Sequence, residues 1–158
     1  MSAKNIGQKK AESLGAILIA EDNPDDVKLV HRAILQLQLE NPVRVVGDGK
    51  LTLAYLRGEG EYQDREKYPF PALLLLDLRM PGIDGFEVLR QLHEDSQFAT
   101  LPILVITVNQ DRRQLGEAYQ LGAKSFLTKP INHKDLENAI MGLGKAGEKL
   151  RFKATPSS

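Results

Sequence analysis

The sequence predicts a doubly wound α/β domain, one parallel sheet with helices on both faces. Three observations predict it. Five short apolar runs, Ala16–Ala20, Val43–Val46, 72–76, Ile103–Thr107 and Ser125–Thr128, are spread along the chain. Helical patterns lie between them. The third run holds Leu73-Leu74-Leu75-Leu76 with no polar alternation, which is how a strand reads when helices cover both of its faces. Repetition of this β-α pair, with right-handed crossovers, gives three layers.

Each element has a local reason. After the first run comes Asn23-Pro24-Asp25-Asp26. Asn caps a helix start, Pro suits the first helical position, and acids suit the positive end of the helix. Val27, Val30, Ile34 and Leu37 follow at helical spacing. Leu35-Gln36-Leu37-Gln38-Leu39 alternates like a strand, but the preceding spacing makes it a helix end. Residues 49–56 form a weaker helical pattern, and 58–71 a long polar connection expected as a surface loop. Phe86, Leu89 and Leu92 mark the third helix. Leu115, Ala118, Tyr119 and Leu121 mark the fourth, ended by Gly122. Leu136, Ile140 and Leu143 begin the fifth. Residues 1–14 read as a flexible polar leader, 15–150 as the domain and 151–158 as a tail. That tail is too short for a second domain, so no output domain is expected and any output must come from the domain surface.

Composition narrows the function. The chain has 158 residues, 42% of them hydrophobic, enough for one core. Lys+Arg and Asp+Glu are each 21, so the basic excess of a phosphate-neutralising nucleic-acid binder is missing. The chain has no cysteine, which excludes disulfides and thiolate metal sites and suits a reducing cytoplasm. No apolar run approaches the roughly 18 residues that cross a bilayer, so no membrane partner is expected.

The chemistry gathers where strands end. Glu21 and Asp22 follow the first run, and Asp77 follows the four leucines. In an open parallel sheet, sites form at this strand edge near the switch point. Three acids there repel one another and hold protons tightly unless a cation is present. Oxygen-only ligands suit Mg²⁺ better than Zn²⁺. Thr107 ends the fourth run and Lys129-Pro130 follows the fifth, so a hydroxyl and a cation reach the same edge. A carboxylate can attack phosphorus and form an aspartyl-phosphate, with a metal to screen charge and Lys and Thr to bind further oxygens.

These residues resemble the receiver domain of bacterial two-component response regulators. The resemblance spans about residues 17–143, with the acid pair Glu21-Asp22, the block from Leu75 through Asp77 and Pro81 to Gly85, then Thr107 and Lys129-Pro130. It implies a flavodoxin-like (βα)5 sandwich with strand order 2-1-3-4-5. It implies that Glu21, Asp22, Asp77 and the backbone carbonyl of Arg79 bind Mg²⁺. It implies that Asp77 accepts a phosphoryl group from a sensor histidine kinase, that Thr107 and Lys129 contact that group, and that Thr107 and Phe126 form the switch. Such a protein is a signalling phosphoacceptor, not an enzyme acting on other molecules. Glu21-Asp22-Asn23-Pro24-Asp25-Asp26, Asp48-Gly49 and the segment from Tyr55 to Tyr62 are similar to stand-alone regulators that partner phytochrome-type kinases. That group commonly ends in an aromatic-rich segment that joins two subunits, which makes a homodimer one expected partner beside the kinase and a separate effector. Here Gly142, Gly144 and Gly147 interrupt the end, and Phe152 is the one aromatic of the tail. A second departure is Val108, where many receivers carry Ala or Ser; it either crowds the phosphoryl pocket or packs sideways.

Other readings fit less well. A phosphatase of the haloacid-dehalogenase-like class wants an acid two residues after its nucleophile, where this chain has Arg79. A flavin module would place phosphate against Glu21-Asp22, which repel it. Gly58-Glu59-Gly60 lacks the third glycine of a dinucleotide fingerprint. His31, His93 and His133 read as solvated helical residues. Residues 145–153, with Lys145, Lys149, Arg151 and Lys153, read as a solvated helix end. A phosphate sink without an effector needs the same pocket as a messenger.

Overall fold

The computed structural model describes residues 14–108 and 111–153, so the expected leader lies outside the described residues except for Leu14. Strands and helices alternate as β1 (Ala16–Ala20), α1 (Pro24–Gln36), β2 (Val43–Val46), α2 (Gly49–Arg57), β3 (Pro71–Asp77), α3 (Gly85–His93), β4 (Ile103–Thr107), α4 (Arg112–Gln120), β5 (Ser125–Thr128) and α5 (His133–Met141). The strands form one parallel sheet in the order β2-β1-β3-β4-β5. This is the flavodoxin-like (βα)5 arrangement the sequence implies. The chain reverses its direction of winding between β1 and β3, so a crevice opens there beyond their C-terminal ends.

The sheet divides the core by strand alternation. Ile17, Ile19, Leu73, Leu75, Leu104 and Ile106 pack with Val30, Ala33 and Ile34 of α1 and Leu136 and Ile140 of α5. Leu18, Ala20, Leu74, Leu76 and Val105 pack on the other side with residues of α2, α3 and α4. Burial on both faces explains why β3 reads as continuous leucine. The fully buried aliphatic side chains each contribute about 1.5–3 kcal/mol.

Every α-helix starts on an Asn or Asp whose side chain accepts a backbone N–H: Asn23, Asp48, Asp84, Asp111 and Asn132. These caps follow the C-terminal ends of the strands and so frame the crevice. Gly85 opens α3 where the helix approaches β3. A Cβ there would lie 2.5 Å from the Asp77 carbonyl oxygen and 2.6 Å from Leu78 Cα. Only glycine lets this turn press against the end of β3.

Two segments differ from the sequence expectation. The 58–71 connection has a packed interior. Tyr55, Tyr62 and Tyr68 meet with ring centroids 5.0–6.0 Å apart, and the Arg65 guanidinium donates to the carbonyls of Tyr55, Leu56 and Tyr68. In residues 145–153 the basic side chains Lys145, Lys149, Arg151 and Lys153 are exposed as expected, but the segment is not a helix end. Helix α5 stops at Met141, leaving Leu143 outside it, and a 3₁₀ turn follows at Gly144–Gly147, where Gly144 takes φ +55°. The tail then returns to its own domain: Leu150 is buried, and Phe152 pairs with Leu39.

Asn41 fastens that return. It is 3% exposed. Its side chain donates to the Gly15 carbonyl (2.8 Å) and the Lys149 carbonyl (3.1 Å) and accepts from the Arg151 N–H (2.8 Å). Three backbone groups therefore depend on one amide. Asn41→Ala is expected to destabilise the fold by about 1–3 kcal/mol, read as a lower urea midpoint. An unchanged midpoint would mean that the tie adds nothing to stability.

Candidate functional site

The acids reach the crevice by strand alternation. Glu21 continues the face of Ile17 and Ile19, and Asp77 continues that of Leu73 and Leu75, so both point to the α1 side of the sheet. Both are buried, at 2% and 3% exposure. Asp22, one residue on, is exposed. Carboxylate oxygens of Glu21, Asp22 and Asp77 lie within 4.8 Å of one another.

Lys129 enters from the end of β5, held by its own N–H on the Thr107 carbonyl at 2.9 Å. Its Nζ lies 2.7 Å from Glu21 Oε1, 2.9 Å from Asp26 Oδ2 and 3.0 Å from Asp77 Oδ2. The contacts with Asp26 and Asp77 are hydrogen bonds. The contact with Glu21 is an ion pair at an angle unfit for one, so the buried Oε1 has no directed hydrogen bond. Glu21 Oε2 accepts from the Asn23 N–H at 3.0 Å.

The remaining predicted residues surround this cluster. Arg79 is exposed, and its N–H donates to Asp77 Oδ1 at 2.9 Å. Thr107 is buried one residue beyond Ile106, which lies opposite Asp77 in the ladder. Phe126 is half-buried, edge-on to Tyr119 at a centroid distance of 6.4 Å. Val108 is 61% exposed. The three histidines are exposed on helices. A cavity of about 710 Å³ lies elsewhere, near the start of β1, lined by residues such as Gly15, Phe70 and Lys149; none of the clustered acids or Lys129 lines it.

The electrostatics show what the cluster lacks. Burial pushes the Glu21 carboxyl up to about 7, against the opposing pull of Lys129 and the Asn23 N–H. Burial works against the Lys129 ammonium, yet its carboxylate partners raise its proton affinity above the ordinary lysine value. One ammonium faces four carboxylates if the exposed Asp22 is included. A hard divalent cation fits the oxygen-only donor set, and the Glu21 oxygen without a directed hydrogen bond is the kind of atom such an ion would satisfy.

Asp26 is the member that sequence reading missed. It was legible only as a first-turn acid of α1, a role it also fills by donating its N–H to Asn23 Oδ1 at 3.3 Å. The four residues separating it from Glu21 carry it round the first helical turn, back over the strand end. Spacing alone gives no hint of its lysine partner 103 positions away.

A five-stranded parallel sheet in this order, with acids, hydroxyl and lysine gathered at one edge, is the architecture of a signalling receiver module. Residues 17–141 match the response regulator receiver domain family, and the chain belongs to that family, whose members act in two-component signalling. The response regulator Rcp1 of Synechocystis sp. is 32% identical over 127 residues, covering 80% of this chain and 84% of that protein. The solved Mn²⁺-bound form of Rcp1 has a TM-score of 0.69 at 30% identity, covering 90% of this chain and 99% of that one. The bacteriophytochrome response regulator RtBRR gives 0.77 at 34% identity, covering 92% and 83%. The phosphorylated cyanobacterial phytochrome response regulator RcpA gives 0.70 at 32% identity, covering 82% and 91%.

The Glu21 shift has a sign that can be tested. The folded chain holds this proton more tightly than the unfolded chain, whose carboxyl keeps its ordinary value of 4.5. Stability from the group is therefore fully present below about 4.5 and is lost as pH rises through about 7. In metal-free buffer, the urea midpoint of the parent should fall between about pH 5 and pH 8 by more than that of Glu21→Gln. Equal slopes for the two proteins would contradict the buried-carboxylate assignment.

Proposed function

We propose that this protein accepts a phosphoryl group on Asp77 from a sensor histidine kinase, in a Mg²⁺-dependent reaction, and signals through the resulting surface change. The observation that carries the reading is the buried Asp77 carboxylate, with Lys129 Nζ 3.0 Å from Oδ2 and the Arg79 N–H 2.9 Å from Oδ1. An Asp77 oxygen attacks phosphorus, the bond from phosphorus to its donor breaks, and the acyl phosphate forms. The Lys129 ammonium meets the negative charge of the transferred group. Thr107, at the end of the neighbouring strand, supplies a hydroxyl. Glu21, Asp22, Asp77 and the Arg79 carbonyl would hold the ion. Bound Mg²⁺ would screen the carboxylates from the incoming phosphate and orient its oxygens. The Mn²⁺-bound form of Rcp1 supports a divalent ion, and the phosphorylated form of RcpA supports a phosphorylated state.

The switch follows from the same geometry. A phosphoryl group brings charge and acceptor oxygens beside Thr107 and Lys129. Thr107 moves toward it, and Phe126, packed edge-on to Tyr119, turns into the space behind β4. This changes the surface of α4, β5 and α5 as a population shift. Similarity to RtBRR and RcpA supports a phytochrome-type kinase as donor. The receiver domain acts in the cytoplasm, catalysing only its own phosphorylation and dephosphorylation, and its changed surface meets a separate effector. A second copy joined through the C-terminal segment has less support, because Leu150 and Phe152 pack onto their own domain.

With Mg²⁺ and acetyl phosphate, the protein is expected to gain one phosphoryl group that hydroxylamine removes, and chelation of the metal should stop the reaction. Asp77→Asn should abolish it, since an amide is a poor nucleophile and forms no acyl phosphate. Intact-mass measurement reads both. Labelling of Asp77→Asn at the parent stoichiometry would overturn the site.

A further inference from the structure

Lys129 has three N–H donors and three carboxylates around it, at 2.7, 2.9 and 3.0 Å. Glu21 and Asp77 belong to the set of acids close enough to share a metal ion, but Asp26 does not. Asp77 is also the atom donor for the new bond to phosphorus. Each of these two partners therefore changes its commitments during the reaction. The Glu21 contact is already the weakest in geometry, since its oxygen makes no directed hydrogen bond. Asp26 is the one carboxylate partner of Lys129 whose oxygens are required by neither the metal nor the phosphoryl group.

Asp26 is also anchored to a rigid element of its own. It sits on the first turn of α1, where Asn23 caps the helix and accepts the N–H groups of Asp25 and Asp26. The positive end of the helix favours a carboxylate there. Its side chain is 23% exposed and lies at the mouth of the crevice, with Lys129, 12% exposed, between it and Asp77. The lysine stem has four rotatable carbons and no preference of its own for one direction. An ammonium with a fixed third partner keeps its aim as the other two change.

We propose, resting on the phosphoacceptor reading above, that Asp26 is a positioning residue. It acts through Lys129 and holds the ammonium where the phosphoryl oxygens of the transferring group arrive. Asp26 touches neither phosphorus nor the metal. Its removal leaves the pocket able to react but with Lys129 free to wander, so the rate of phosphorylation falls while the stoichiometry stays the same.

The test is a double-mutant cycle on the rate of phosphorylation by acetyl phosphate at saturating Mg²⁺. Asp26→Asn is expected to slow the parent about tenfold, the size expected when one charge-assisted hydrogen bond no longer supports the transition state. In a Lys129→Ala background the same change should have almost no effect, because the lysine it acts through is gone. Asp26→Ser keeps a short polar group on the first turn and must give the same pattern, which covers a folding failure of Asp26→Asn. Asp26→Glu keeps the charge and should recover part of the rate. Two results overturn the inference: an unchanged rate in Asp26→Asn and Asp26→Ser, or an equal fold-loss with and without Lys129, which marks a merely structural residue. A parent that accepts no phosphoryl group at all would instead overturn the phosphoacceptor reading.

Discussion

A single half-buried ammonium holds the candidate functional edge of this molecule together. Lys129 lies within 3.0 Å of carboxylates from Glu21 after β1, Asp26 on α1 and Asp77 at the end of β3. Three separate parts of the chain thus converge on one nitrogen carried at the end of β5. Buried like charges repel strongly where water cannot screen them, and a pair broken on one side leaves an uncompensated charge. The sheet order makes the convergence possible, because β1 and β3 are neighbours while their connecting helices leave on opposite faces. The apolar core is what fixes those strand ends in place, and the charges then use the edge it provides.

The balance is incomplete, and the proposed function depends on that incompleteness. One lysine cannot neutralise the clustered acids, so Glu21 keeps a proton to unusually high pH and one of its buried oxygens lacks a directed hydrogen bond. A pocket in that state favours whatever brings positive charge. The same pocket, once its carboxylates are screened, offers a nucleophile with an ammonium and a hydroxyl nearby. In the proposed reading, attraction for a divalent cation and competence toward a phosphoryl group are two consequences of one arrangement.

Much of this was legible in the sequence, for reasons that differ from residue to residue. Leu73 to Leu76 announce a strand buried on both faces, and the four strand-end groups Glu21, Asp77, Thr107 and Lys129 follow apolar runs directly. Period-two alternation then decides which face Glu21 and Asp77 join. Asp26 was not legible, because its lysine partner is fixed by the packing of α1 over the sheet. The path of the tail was missed for a similar reason: its basic residues are solvated as they read, but Asn41 and Leu39 hold its backbone from far away in the chain. The Tyr55, Tyr62 and Tyr68 cluster was hidden by the polar residues between its members.

The central claim is that the carboxylate pocket is short of positive charge and that a divalent cation completes it. Metal ligands must be deprotonated, so cation binding at such a site expels the proton held by Glu21. Calorimetric titration of Mg²⁺ in buffers of differing ionisation enthalpy counts those protons directly. The expected result is proton release on binding at about pH 6, below the Glu21 value of about 7, fading to none by about pH 8.5. Mg²⁺ binding with no proton release at about pH 6, or no Mg²⁺ binding at either pH, would contradict it.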